Sequence, residues 1–113
     1  MSGESVGAQT PAFPLPQLTG TWLRARQLIA AWGLADDLSG THIRLDAGRT
    51  LAGTAMFVDE MVRSILVERR AELLVVSLAG PELSSLFRSA AAYYNVTGRL
   101  SLYSGPVPAD QRM

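Results

Sequence analysis

The stretch Leu73-Leu74-Val75-Val76, followed by Ser77-Leu78-Ala79-Gly80-Pro81-Glu82, decides the fold. Four consecutive apolar residues need cover on both sides, which fits a central strand of a parallel sheet. Gly80-Pro81-Glu82 then opens a helix, with proline in the first turn and an acid near the positive end of the dipole. Leu83, Leu86, Phe87, Ala90, Ala91 and Tyr94 recur at i, i+3, i+4, i+7, i+8 and i+11, so one face of that helix is apolar. Gly98 stops it, and Leu100 and Leu102 alternate as a last strand before Ser104-Gly-Pro-Val-Pro.

Upstream the same alternation of elements continues. Ala55, Val58, Met61, Val62, Ile65 and Leu66 form one helical face, while Asp59, Glu60, Arg63 and Glu68 lie elsewhere. Asp59 and Arg63 stand four apart, which predicts a surface ion pair worth about 0.3–0.5 kcal/mol. Before that helix, Ile43 and Leu45 alternate with His42 and Arg44, a half-buried strand that ends at Asp46. Earlier still, Trp22, Ala25, Leu28, Ile29 and Trp32 mark an amphipathic helix that Gly33 terminates. Strands separated by helical crossovers run parallel, with right-handed connections. The expected class is therefore α/β, a small domain with a mainly parallel sheet and crossover helices packed on it. It spans residues 20–104, between a flexible Pro-rich N-terminal arm (1–19) and a flexible C-terminal tail (105–113).

Composition narrows the chemistry. The chain has 113 residues, zero net charge, ten arginines, no lysine, no cysteine and one histidine, His42. Disulfides, thiolate zinc sites, cysteine nucleophiles, Schiff bases and P-loop lysines are excluded, and a multi-histidine metal site cannot form within one chain. Any Ser-His-Asp triad must pass through His42, and no G-x-S-x-G elbow accompanies Ser39 or Ser77. Neutral charge gives no overall field for nucleic acid or an anionic membrane. No apolar run approaches the roughly 20 residues of a membrane span, and the first residues lack a secretory pattern, so a cytoplasmic location is expected. Neither G-x-G-x-x-G nor Walker A is present, and no cofactor is expected.

The segment Thr50-Leu-Ala-Gly-Thr-Ala-Met-Phe-Val-Asp-Glu-Met61 stands out, because it puts hydroxyls just before a helix whose first turns carry Asp59 and Glu60. A phosphate on Thr54 would sit at the helix N-terminus and add roughly −1.5 to −2 charges to that surface. The plainer role of Thr54 or Gly53 is to cap the helix. Asp46, at the carboxyl end of its strand, is placed to orient the following loop or to receive a ligand.

The strand Ile43-Arg-Leu-Asp46, the Phe57-Val-Asp-Glu-Met61 helix start, Leu73-Leu-Val-Val76, the Pro81-started helix and Leu100-Ser-Leu102 together resemble STAS domains, the anti-sigma-factor antagonist fold. The Phe-x-Asp-Glu signature is most similar to the bacterial STAS-like branch. This resemblance, over about Trp22 to Leu102, implies a non-enzymatic regulatory module that binds a protein partner, a GHKL-type serine/threonine kinase or anti-sigma factor. It also implies that phosphorylation of a Ser or Thr at the start of this helix abolishes binding. Aligned directly, the hydroxyl position is Met56; with the loop moved by two residues it is Thr54. Partner contact is expected at Asp46, Met56, Asp59, Glu60 and Arg63. The alternative is a small-molecule or nucleotide sensing domain on the same fold. Self-association as a homodimer is also expected if Val67, Trp22 and Trp32 leave apolar surface outside one small core.

Overall fold

The computed structural model describes residues 12–17, 20–50 and 53–105. Four parallel strands form one sheet, with three helices packed on it. In chain order the elements are β1 (Ala12–Pro14), α1 (Trp22–Trp32), β2 (His42–Asp46), α2 (Ala55–Val62), β3 (Leu73–Ser77), α3 (Pro81–Tyr93) and β4 (Leu100–Leu102). The strand order in the sheet is the chain order, β1-β2-β3-β4. Ile43 lies beside Leu74 and Leu45 beside Val76, while Leu74 and Val76 lie beside Leu100 and Leu102. Register partners share a face, so these residues line the side on which the helices pack.

The core is built from the expected faces. Leu45, Leu74, Val76, Phe57, Val58, Met61, Val62, Ile65, Phe87 and Ala91 are fully buried. The helices lie side by side, α1 against α2 and α2 against α3. Phe13 of β1 stacks on Trp32 of α1 at 5.0 Å between ring centroids, which fastens the outermost strand to its helix. The opposite face of the sheet carries His42, Arg44 and Asp46 on β2 and Leu73, Val75 and Ser77 on β3.

Helix limits follow local chemistry. Gly33 closes α1 with a left-handed backbone at φ 68°, and Pro81 opens α3 at its first position. Thr54 caps α2, its Oγ1 accepting a hydrogen bond from the Phe57 N–H at 3.2 Å.

Three expectations need correction. Residues 12–17 do not belong to an arm: Ala12–Pro14 is a parallel strand beside Arg44–Asp46, and Leu15 is buried in the core. A proline is tolerated there because an edge strand bonds on one side only. Residues 1–11 and 106–113 lie outside the described residues. Secondly, the helix begun by α2 continues from Arg63 to Glu68 with π winding. Thirdly, the predicted Asp59–Arg63 pair does not form. Arg63 turns to Glu60 and Glu68, and Asp59 takes a hydrogen bond from Tyr94 at 2.8 Å.

Candidate functional site at the carboxyl edge of the sheet

In a parallel sheet with crossover helices, every helix begins at the carboxyl ends of the strands. The starts of α1, α2 and α3 therefore meet there, together with the β2–α2 and β3–α3 loops. Short hydrogen bonds fix this edge. The Asp46 carboxylate accepts from the Gly48 N–H at 2.8 Å, the Thr50 N–H reaches the Ala47 carbonyl at 3.0 Å, and the Thr50 hydroxyl donates to the Pro16 carbonyl at 3.0 Å. The Thr54 hydroxyl donates to the Gly20 carbonyl while accepting from Phe57, so it joins the start of α1 to the start of α2. Gly53 lies so close to α3 that a Cβ there would stand 2.7 Å from Leu83 Cδ1.

The six residues singled out from sequence divide into two groups. Asp46, Thr54 and Met56 lie at this edge. Asp46 orients the loop as an Asx turn, Thr54 is the exposed cap, and Met56, in the first turn of α2, points into solvent. Asp59, Glu60 and Arg63 follow further along the helix and are engaged within the chain. Glu60 is buried and accepts from Arg63 Nε at 3.1 Å and from Nη2 at 2.6 Å, with Arg26 Nε of α1 3.9 Å away. Asp59 binds the Tyr94 hydroxyl at the end of α3. The Asp-Glu pair thus ties the central helix to both neighbours.

Protonation follows these contacts. Hydrogen bonding to Glu60 and then Glu68 raises the Arg63 guanidinium above its ordinary range, and Arg63 in turn holds the Glu68 carboxyl below its own. Burial, helped by the Asp59 carboxylate, pushes the Tyr94 phenol up to about 12.

No protein family, curated protein or solved structure matches the chain. His42 lies at the opposite, amino edge of the sheet, its Nε2 3.4 Å from a Glu72 carboxylate oxygen. Among the described residues no group of three or more His, Cys, Asp and Glu side chains is arranged to hold a metal, and no helix is long and apolar enough to cross a membrane.

The sequence points to Met56 and Trp22 as exposed apolar side chains, but not to Leu23 or Leu78, which add to the apolar content of the carboxyl edge. Trp22 is 45% exposed, Leu23 51%, Met56 53% and Leu78 39%. Trp22 continues the apolar stripe of α1 but is its first residue and is left half-exposed, with Arg26 over its ring. Leu23 lies off the stripe, and that departure was a readable signal. Leu78 follows the buried run of β3 in a left-handed backbone at φ 60°, which turns its side chain outward against Gly48.

Proposed function

We propose that this chain is a regulatory protein-binding module of the STAS-like kind, without a reaction of its own. It docks a GHKL-type kinase or anti-sigma factor at the carboxyl edge of its sheet and is switched by phosphorylation of Thr54. One observation carries the reading: an exposed threonine hydroxyl joins the starts of two helices, with half-exposed Trp22 and Met56 two residues beyond the bonded pair Gly20 and Thr54. Exposed apolar side chains gathered around a polar group mark a contact surface. Transfer of the ATP γ-phosphoryl group to Thr54 Oγ1 releases the hydroxyl proton and ADP. It removes the donor that holds the Gly20 carbonyl and places a near-dianion between the two helix starts. Between the two alignments of the signature, Thr54 is favoured because Met56 has no hydroxyl and its side chain is free to touch a partner.

The test uses the full chain with Mg-ATP and the histidine-kinase-like ATPase encoded nearest to its gene. Calorimetry should detect a complex, and peptide mapping should place a phosphoryl group on Thr54. Thr54→Asp should weaken the complex at least tenfold while Arg88→Ala, on the body of α3, leaves it unchanged. No complex, or one indifferent to Thr54→Asp, overturns the proposal.

A further inference from the structure

We infer that the occupant of the carboxyl edge is an acidic protein segment with apolar anchors. This inference rests on the protein-binding reading above and specifies the chemistry of the partner. The apolar part of the surface is Trp22, Leu23 and Met56, with Leu78 further along the same edge. Arginines stand at the start of α1 and on the β2–α2 loop of the same edge. Arg24 follows Leu23 in the first turn of α1, and its Cβ and Cγ lie within 4 Å of where a Cβ on Gly20 would stand. Arg26 lies over the Trp22 ring, with its guanidinium carbon 5.8 Å from the centroid. Arg49 stands exposed on the β2–α2 loop.

The carboxylates of the described residues do not cancel this charge. Arg24 and Arg49 have no ion-pair partner among the described residues. Arg26 has only the 3.9 Å approach to Glu60, whose two oxygens are already held by Arg63. Asp46 faces its own loop, and Glu82 stands at the start of α3, on the Leu78 side. The starts of α1 and α2 add partial positive charge in the same direction. A partner that buries Trp22, Leu23 and Met56 must therefore bring carboxylates to their border, or leave arginines desolvated and unpaired.

The same side chains suit a lipid surface less well. Adsorption to anionic lipid takes a cluster of about 4–8 basic residues, whereas this edge carries Arg24 and Arg26 at the start of α1 and Arg49 on the β2–α2 loop, and the chain as a whole is neutral. A phosphoryl group on Thr54 also acquires a sharper role: it sets negative charge where the carboxylates of the partner would lie.

The experiment is selection from a random-peptide display library on the immobilised full chain, followed by affinity measurement with one synthetic consensus peptide. Selected peptides should be rich in Asp and Glu and carry Leu, Ile, Phe or Trp at helical spacing. The consensus peptide should bind about tenfold more weakly to Leu23→Asp and to Met56→Asp, and to the double variant Arg24→Glu with Arg49→Glu. Tyr93→Ser, at the far end of α3, should bind it as the parent does. These five positions are exposed, and thermal melts verify that each variant is folded.

Basic or neutral selected peptides, no enrichment, or binding indifferent to Leu23→Asp overturn the inference. So does a shift of tryptophan emission on adding phosphatidylserine vesicles without peptide enrichment, which would make the surface a lipid contact. A kinase complex phosphorylated on Thr54, with selected peptides lacking acids, would remove the acidic partner and leave the regulatory reading standing. Acidic peptides selected in the absence of any kinase complex would do the reverse.

Discussion

Replacing Glu60 with alanine tests whether the Phe-x-Asp-Glu signature acts on the fold rather than at the surface. The Glu60 side chain is 7% exposed and that of Arg63 28%, and the two meet through a bidentate contact with Nη2 at 2.6 Å and Nε at 3.1 Å. Removing one partner of a buried pair costs about 3–5 kcal/mol. Arg63 keeps Glu68 and part of its hydration, so the loss should fall below that range, at about 2–3 kcal/mol. The Arg26 contact, with Arg26 mostly in solvent, adds little. For a domain of this size the melting temperature should fall by about 10–20 °C. Urea denaturation followed by circular dichroism gives the free energy, and an unchanged m value shows that the unfolding reaction is the same. A double-mutant cycle with Arg63→Ala should return a coupling of about 1–2 kcal/mol. A loss under about 0.5 kcal/mol for Glu60→Ala, or a coupling near zero, would refute the assignment of this pair to the fold.

Three further outcomes are expected. The Tyr94 phenol is raised to about 12 in the folded chain against an ordinary value of 10.0, so its contribution to stability is intact below pH 10 and is lost as pH rises through about 12. Urea titrations across that window should show stability falling, with a shallower fall in Tyr94→Phe, which should itself cost about 1 kcal/mol at neutral pH. Thr54→Ala removes the cap of α2 and the donor to Gly20, and thermal melts should show a loss of about 1–2 kcal/mol, most of it restored in Thr54→Ser. Leu78 occupies a left-handed backbone, so Leu78→Gly should be more stable than Leu78→Ala by about 1 kcal/mol in urea denaturation.

Much of this fold can be read from periodicity and punctuation. The α1 helix ends where Gly33 permits a left-handed turn, α3 begins where Pro81 needs no N–H partner, and β3 is the uninterrupted apolar run between them. The first strand is not legible in the same way. Pro11, Pro14 and Pro16 suggest extended chain in solvent, and only pairing with Arg44–Asp46 turns Ala12–Pro14 into an edge strand. Glu60 misleads for a related reason. A glutamate off the apolar face is expected in water, but Arg63 one turn later satisfies both of its oxygens inside. The π winding after Val62 brings residues five apart together, as in Arg63 with Glu68 and Arg69 with Ser64, which an α-helical period does not anticipate. At the candidate site, Thr54 was legible as a cap. The apolar surface around it was legible only in part: Met56 falls at the hydroxyl position of the signature and Trp22 can lie outside a small core, but Leu23 is off the stripe of α1 and Leu78 turns outward only through its left-handed backbone.

The order of strands in the sheet has a consequence for how the chain reaches this state. Register partners across the three pairings lie 32, 31 and 26 residues apart, as in Ala12 with Arg44, Ile43 with Leu74 and Leu74 with Leu100. Loop-closure entropy grows only with the logarithm of length, so the three steps carry nearly the same penalty. No strand has to be inserted between two that are already paired. A ribosome releasing this chain from its amino end therefore presents each strand after the neighbour on which it will lie, and the sheet can widen in the direction of synthesis.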